Sequence, residues 1–105
     1  ACLVIRKSIY QKVGGLDEHH LGIAFNDVDF CLKVQAAGYR NLWTPYAELY
    51  HYESISRGAE DNPEKVARFN KEMNYMKETW KTDVLPDVCY SRNLTRDRED
   101  FTINV

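Results

Sequence analysis

An α/β fold is predicted by three observations. Short runs of β-favouring residues ("CLVIR", "NLWT", "AELYHY") lie between segments of helical periodicity. Two segments repeat apolar residues at steps of three and four. Turn formers punctuate the boundaries, with Gly14-Gly15, Gly38 and Pro63 standing where one pattern gives way to another.

In chain order, the first strand is expected over Cys2–Arg6. Ser8 can cap a short helical turn from Ile9 to Val13, which Gly14-Gly15 ends. "LDEHHLGIAF" reads as a loop. Asn26 or Asp27 then starts a helix to about Ala37, with Phe25, Val28, Leu32 and Ala36 on one line and Phe30, Val34 and Ala37 on another. Gly38 is its C-terminal cap. Two short strands flank Pro45, Asn41–Thr44 and Ala47–Tyr52. After a polar loop, Asn62 caps and Pro63 opens a long helix whose stripe is Val66, Phe69, Met73, Met76 and Trp80. The remaining tail shows little regular structure beyond a short strand near Phe101–Val105.

Two parts are expected: residues 1–62, and residues 63–105 as a long helix and tail packed on the first part. The strands are too few for a complete doubly wound sheet. The chain also opens at Ala1 in a strand-like run without an initiator Met, which reads as a piece of a longer chain with further strands upstream.

Hydrophobic residues make up 44% and aromatics 12% of 105 residues, a globular composition with material for one core. A formal net charge of −2 gives no electrostatic case for nucleic-acid binding. No apolar run is long enough to span a membrane. Cys2, Cys31 and Cys89 are odd in number and widely spaced, which fits a reduced, cytoplasmic setting and argues against a disulfide framework or a structural zinc.

Three clusters could carry chemistry. "NDVD" places Asp27 and Asp29 two residues apart, about 200° apart if both are helical, so both cannot face one cleft. They read either as ordinary first-turn acids favoured by the helix dipole or as a site with one projecting acid. "GGLDEHH" holds Asp17, Glu18, His19 and His20, with the histidine pair read as a solvated loop. "HYESISRG" puts His51 at a strand end, followed by Ser56 and Arg57. An imidazole can ligate a divalent metal and a guanidinium can clamp a diphosphate, so this stretch has the residue types of half a metal–diphosphate site.

In order, "VIRKSIYQKVGGLDE" and "FNDVDFCLKVQAAGYRNLWTPYAELYHYESISRG" resemble the C-terminal half of family 2 glycosyltransferases. Weaker similarity continues through "EKVARFNKEMNYMKETW" and "YSRNLTRDREDF", like the tail of bacterial polysaccharide-synthesising members. The resemblance implies a partial GT-A (nucleotide-diphospho-sugar transferase) fold, a C-terminal fragment with a few short strands and two main helices. It implies an inverting transfer from a nucleotide diphosphate sugar to a glycan or lipid-linked acceptor. Asp27 takes the position of the general base, with Asn26 where a Glu is more usual. Asp17, Glu18 and Asn26 fall on the acceptor side, and Asp29 supports the helix start or the neighbouring loop. Ser56 and Arg57 fall on the diphosphate, and His51 completes the metal site. The metal, Mg or Mn, would be bound mainly by an Asp-x-Asp motif in an N-terminal half that this chain lacks, so the fragment alone is expected to be inactive. Trp43 is expected in the core rather than on a sugar face.

The basic side of the long helix admits a second reading as a peripheral membrane-docking surface, which would place the protein at the inner face of the membrane. Uncovered sheet edges would favour a homodimer of the fragment. The alternative from another class is a non-catalytic GT-A-like binding module, with Asn26 in its favour.

Overall fold

A computed structural model describes residues 2–52, 62–87, 90–98 and 100–104. Among the described residues three helices follow in order: α1 (Lys7–Lys12), α2 (Asn26–Ala36) and α3 (Pro63–Trp80).

Helix α1 starts earlier than Ser8 would cap it. Arg6 is the extended N-cap and no side chain caps the helix. Its end is as expected: Gly14 N–H reaches Gln11 O at 3.2 Å and Gly15 N–H reaches Tyr10 O at 2.9 Å, with both glycines at positive φ. This pair of bonds is the Schellman closure, which satisfies carbonyls the helix would otherwise leave open. Helix α2 ends the same way, with Gly38 N–H on Gln35 O at 3.0 Å and Tyr39 N–H on Val34 O at 3.2 Å. Gly38 has φ +88°.

Helix α2 starts at Asn26, as its sequence predicts. The N-cap is Phe25, in the left-handed region at φ 61°, and no side chain caps the helix. That conformation costs a residue with a Cβ roughly 1–2 kcal/mol, so the surroundings must hold it. Helix α3 opens as its sequence predicts: Asn62 accepts from the Lys65 N–H at 2.8 Å and Pro63 occupies the first turn. It closes on Lys81, itself left-handed at φ 56°.

The buried apolar side chains are Leu21, Phe30, Val34 and Met76. Each full burial contributes about 1.5–3 kcal/mol. Tyr10 of α1 rests on Phe30, ring centroids 5.3 Å apart. Of the two apolar lines on α2, Phe30 and Val34 face inward, while Val28 is about half exposed. On α3, Val66 is exposed and the charged Glu72 is buried in its place.

The strands expected over Cys2–Arg6, Asn41–Thr44 and Ala47–Tyr52 do not form among the described residues. A strand exists through its partner, and these segments carry no ladder. Their side chains lie open: Val4, Leu42, Trp43, Tyr46 and Tyr50 are all more than four-fifths exposed. Trp43, expected in the core, is 85% exposed. Near the C-terminus the short strand reduces to one antiparallel bridge between Leu94 and Ile103, flanked by Thr95 N–H on Thr102 O and Asn104 N–H on Asn93 O, both at 2.8 Å.

Candidate functional site around the start of α2

One face of α3 carries the loop that leads into α2. Phe69, Glu72, Met76 and Trp80 fall within about 80° of arc, with Tyr75 at the edge. Phe69 meets Phe25, ring centroids 5.2 Å apart. The Glu72 carboxylate accepts the N–H of Ala24 at 2.8 Å and that of Ile23 at 3.3 Å. The Tyr75 hydroxyl donates to Asp17 at 2.9 Å. The Trp80 indole N–H donates to Asp29 at 2.8 Å. The long helix therefore packs its face on this loop and on α2.

The two acids of "NDVD" have different fates. Asp29 is 3% exposed. It pairs with Lys33 at 3.1 Å, and Lys33 in turn donates to the Gly15 carbonyl at 2.7 Å. Asp29 thus ties α2 to α3 and, through Lys33, to the end of α1. Asp27 is exposed, and one of its oxygens accepts the neighbouring Val28 N–H at 2.9 Å. Its other oxygen remains available at the mouth of the helix. Its charge is felt one turn on: burial, together with Asp27, pushes the Cys31 thiol above its ordinary value, so it stays protonated near neutral pH. Asn26 is half-buried beside it.

Asp17 is engaged within its own loop. It accepts the N–H groups of His19 and His20 at 3.1 and 3.0 Å, the Tyr75 hydroxyl, and the His20 ring through Nδ1 at 3.0 Å. Burial pushes its pKa up, but the bonds from the His20 backbone, Tyr75 and the His20 ring outweigh it and hold the carboxyl at about 2. The bond to Asp17, then burial and the charge of Asp17, raise the Tyr75 hydroxyl above the ordinary tyrosine value. His20 stacks flat on Tyr75, centroids 4.4 Å apart and 1° between planes. With Nδ1 turned to Asp17, a neutral His20 directs Nε2 outward as an acceptor. Read from sequence as a solvated pair, the histidines separate: His20 is anchored and His19 is not anchored in this way.

Glu18 is exposed and lines an open depression of about 590 Å³ with Asp17, Gly15, Leu16, His19 and Lys33. Asp27, Asn26 and His51 do not line it. His51 is exposed. Ser56 and Arg57 lie outside the described residues. Among the described residues no three His, Cys, Asp or Glu side chains gather to hold a metal ion. No described helix is long and apolar enough to cross a membrane.

Glu72 is the feature that sequence reading missed. Its position three residues after Phe69 and four before Met76 puts it on the apolar stripe, and a lone acid in such a stripe was the available signal.

No family model matches the chain, and no solved structure matches it. It is 58% identical over 104 residues to the uncharacterized protein y4gI of Sinorhizobium fredii, covering 99% of this chain and 11% of that protein. It is 36% identical over 64 residues to the O-antigen biosynthesis protein RfbC of Myxococcus xanthus, 61% of this chain and 5% of the relative. It is 34% identical over 58 residues to an N-acetylglucosaminyl-diphospho-decaprenol L-rhamnosyltransferase of Mycobacterium tuberculosis, 55% of this chain and 19% of the enzyme. The chain thus spans about a tenth of the first relative and less than a fifth of the others. Over more than half of its residues it is similar to a glycosyltransferase and to a protein of O-antigen biosynthesis.

Proposed function

We propose that this chain is the acceptor-side part of an inverting glycosyltransferase of GT-A fold, with Asp27 as its general base. Partial similarity to a rhamnosyltransferase supports the reaction class. The observation that carries the base assignment is the asymmetry of the two acids: Asp29 is buried and engaged by Trp80 and Lys33, whereas Asp27 is exposed at the helix mouth.

A sugar hydroxyl is a poor nucleophile near neutral pH. Asp27 would accept its proton as the oxygen bonds to the anomeric carbon and the nucleoside diphosphate leaves from the opposite face. That single displacement inverts the anomeric centre. The rhamnosyltransferase relative is named for a lipid-linked saccharide, and we extend that acceptor class, a glycan or lipid-linked sugar, to this chain. On this reading the apolar side chains left open over residues 2–6 and 41–52 pack into a larger sheet of the full-length protein.

Nucleotide release by the full-length protein, screened across nucleotide diphosphate sugars with and without acceptor, tests this. Asp27→Asn should lower turnover by orders of magnitude and leave donor binding in place. Normal turnover in that variant refutes the base assignment, and donor binding without transfer in the unmodified protein points to a binding module instead.

A further inference from the structure

We propose that Glu72 is a positioning residue for Asp27, acting through the left-handed residue Phe25; the inference rests on the reading of Asp27 as the base. Asp27 lies two residues beyond Phe25, so the backbone angle at Phe25 sets the direction in which the first turn of α2 leaves the loop. A phenylalanine does not take φ 61° unprompted, and no side chain caps this helix start. What holds it comes from α3. Glu72 fixes the N–H groups of the two residues just before Phe25, one on each carboxylate oxygen, at 3.3 Å for Ile23 and 2.8 Å for Ala24. One turn earlier on the same helix, Phe69 sits against the Phe25 ring.

The chemistry requires a carboxylate. Each of the two consecutive N–H groups meets its own carboxylate oxygen, and glutamate is 4% exposed here, so water does not substitute. A glutamine in its place offers one acceptor and turns an N–H₂ against the other backbone N–H. The loop then gives way, Phe25 relaxes out of the left-handed region, and the Asp27 carboxylate no longer points along the same line. Displacement of a catalytic group by about 1 Å costs roughly 10²-fold in rate.

A double-mutant cycle in the full-length protein, followed by nucleotide release, separates this role from general support of the fold. Glu72→Gln should lower kcat by about ten- to a hundred-fold with the donor KM unchanged, and amide exchange at Ile23 and Ala24 should accelerate while that of α3 does not. Glu72→Gln/Asp27→Asn should be no slower than Asp27→Asn alone, because a residue that acts only through Asp27 has nothing left to position. An unchanged kcat in Glu72→Gln overturns the proposal, and so does a double variant whose losses multiply. Slow Asp27→Asn with either of those results leaves the base assignment standing; normal Asp27→Asn removes the base assignment itself. If Glu72→Gln does not fold, Glu72→Asp, which keeps both acceptors and withdraws them by one methylene, gives the same comparison.

Discussion

Trp80 donates its indole N–H to the buried carboxylate of Asp29 across 51 residues of chain, at 2.8 Å. The bond fastens the last turn of α3 to the first turn of α2. A hydrogen bond to a buried charge is worth about 1.5–3 kcal/mol. Trp80→Phe keeps a six-membered aromatic ring and removes the pyrrole with its donor, so the amides of α2 should exchange at least ten- to a hundred-fold faster, as roughly 1.4 kcal/mol per factor of ten requires. Unchanged exchange would mean that the bond contributes nothing to the docking of α2.

The Asp17 carboxyl titrates at low pH. The Asp17 carboxyl is held at about 2 against an ordinary 3.8, a depressed value in the folded state. Its contribution is therefore complete above about pH 4 and is lost as pH falls toward 2. Tyr75→Phe removes one of the stabilising donors, so the Asp17 midpoint should rise toward the ordinary value. Carbon-detected NMR titration of the carboxyl group reads this directly.

The glycines differ in what a methyl group would meet. At Gly14 and Gly38 an added Cβ finds open space, so alanine costs only the left-handed backbone, about 1–2 kcal/mol. At Gly15 the same Cβ lands 3.0 Å from the Tyr10 ring. Gly15→Ala should therefore lower the melting temperature more than Gly14→Ala or Gly38→Ala. Equal losses would show that the Tyr10 ring moves aside freely.

Cys31 reports on the charge of Asp27. Burial and that charge keep its thiol protonated, whereas Cys2 is exposed. Iodoacetamide should modify Cys31 more slowly than Cys2, and Asp27→Asn should speed the reaction at Cys31. Site-resolved mass spectrometry measures both rates in one sample.

Features with a local cause were legible in the sequence. Asn62-Pro63 and the glycines after α1 and α2 act within a few residues of themselves, and they stand where expected. The cap of α2 was not legible because the contacts around Phe25 come from residues more than forty positions away. Asp29 gave no local sign of burial, since Trp80 supplies its partner from the other end of α3. The expected strands failed for a related reason: β-favouring composition describes a surface that suits pairing, and pairing needs a partner the described residues do not provide. In the candidate site, one acid projecting from the helix mouth was foreseen, while the loop beneath it was not.

The contacts of α3 with the loop are all counted along one helix, which makes the spacing of residues 69 to 80 as consequential as their identity. Inserting a single residue between Glu72 and Tyr75 would turn everything after it by about 100°. Phe69 and Glu72 would keep their grip on residues 23–25, while Tyr75 and Trp80 would swing away from Asp17 and Asp29. Over this stretch the chain cannot change its length without losing contacts at one end or the other.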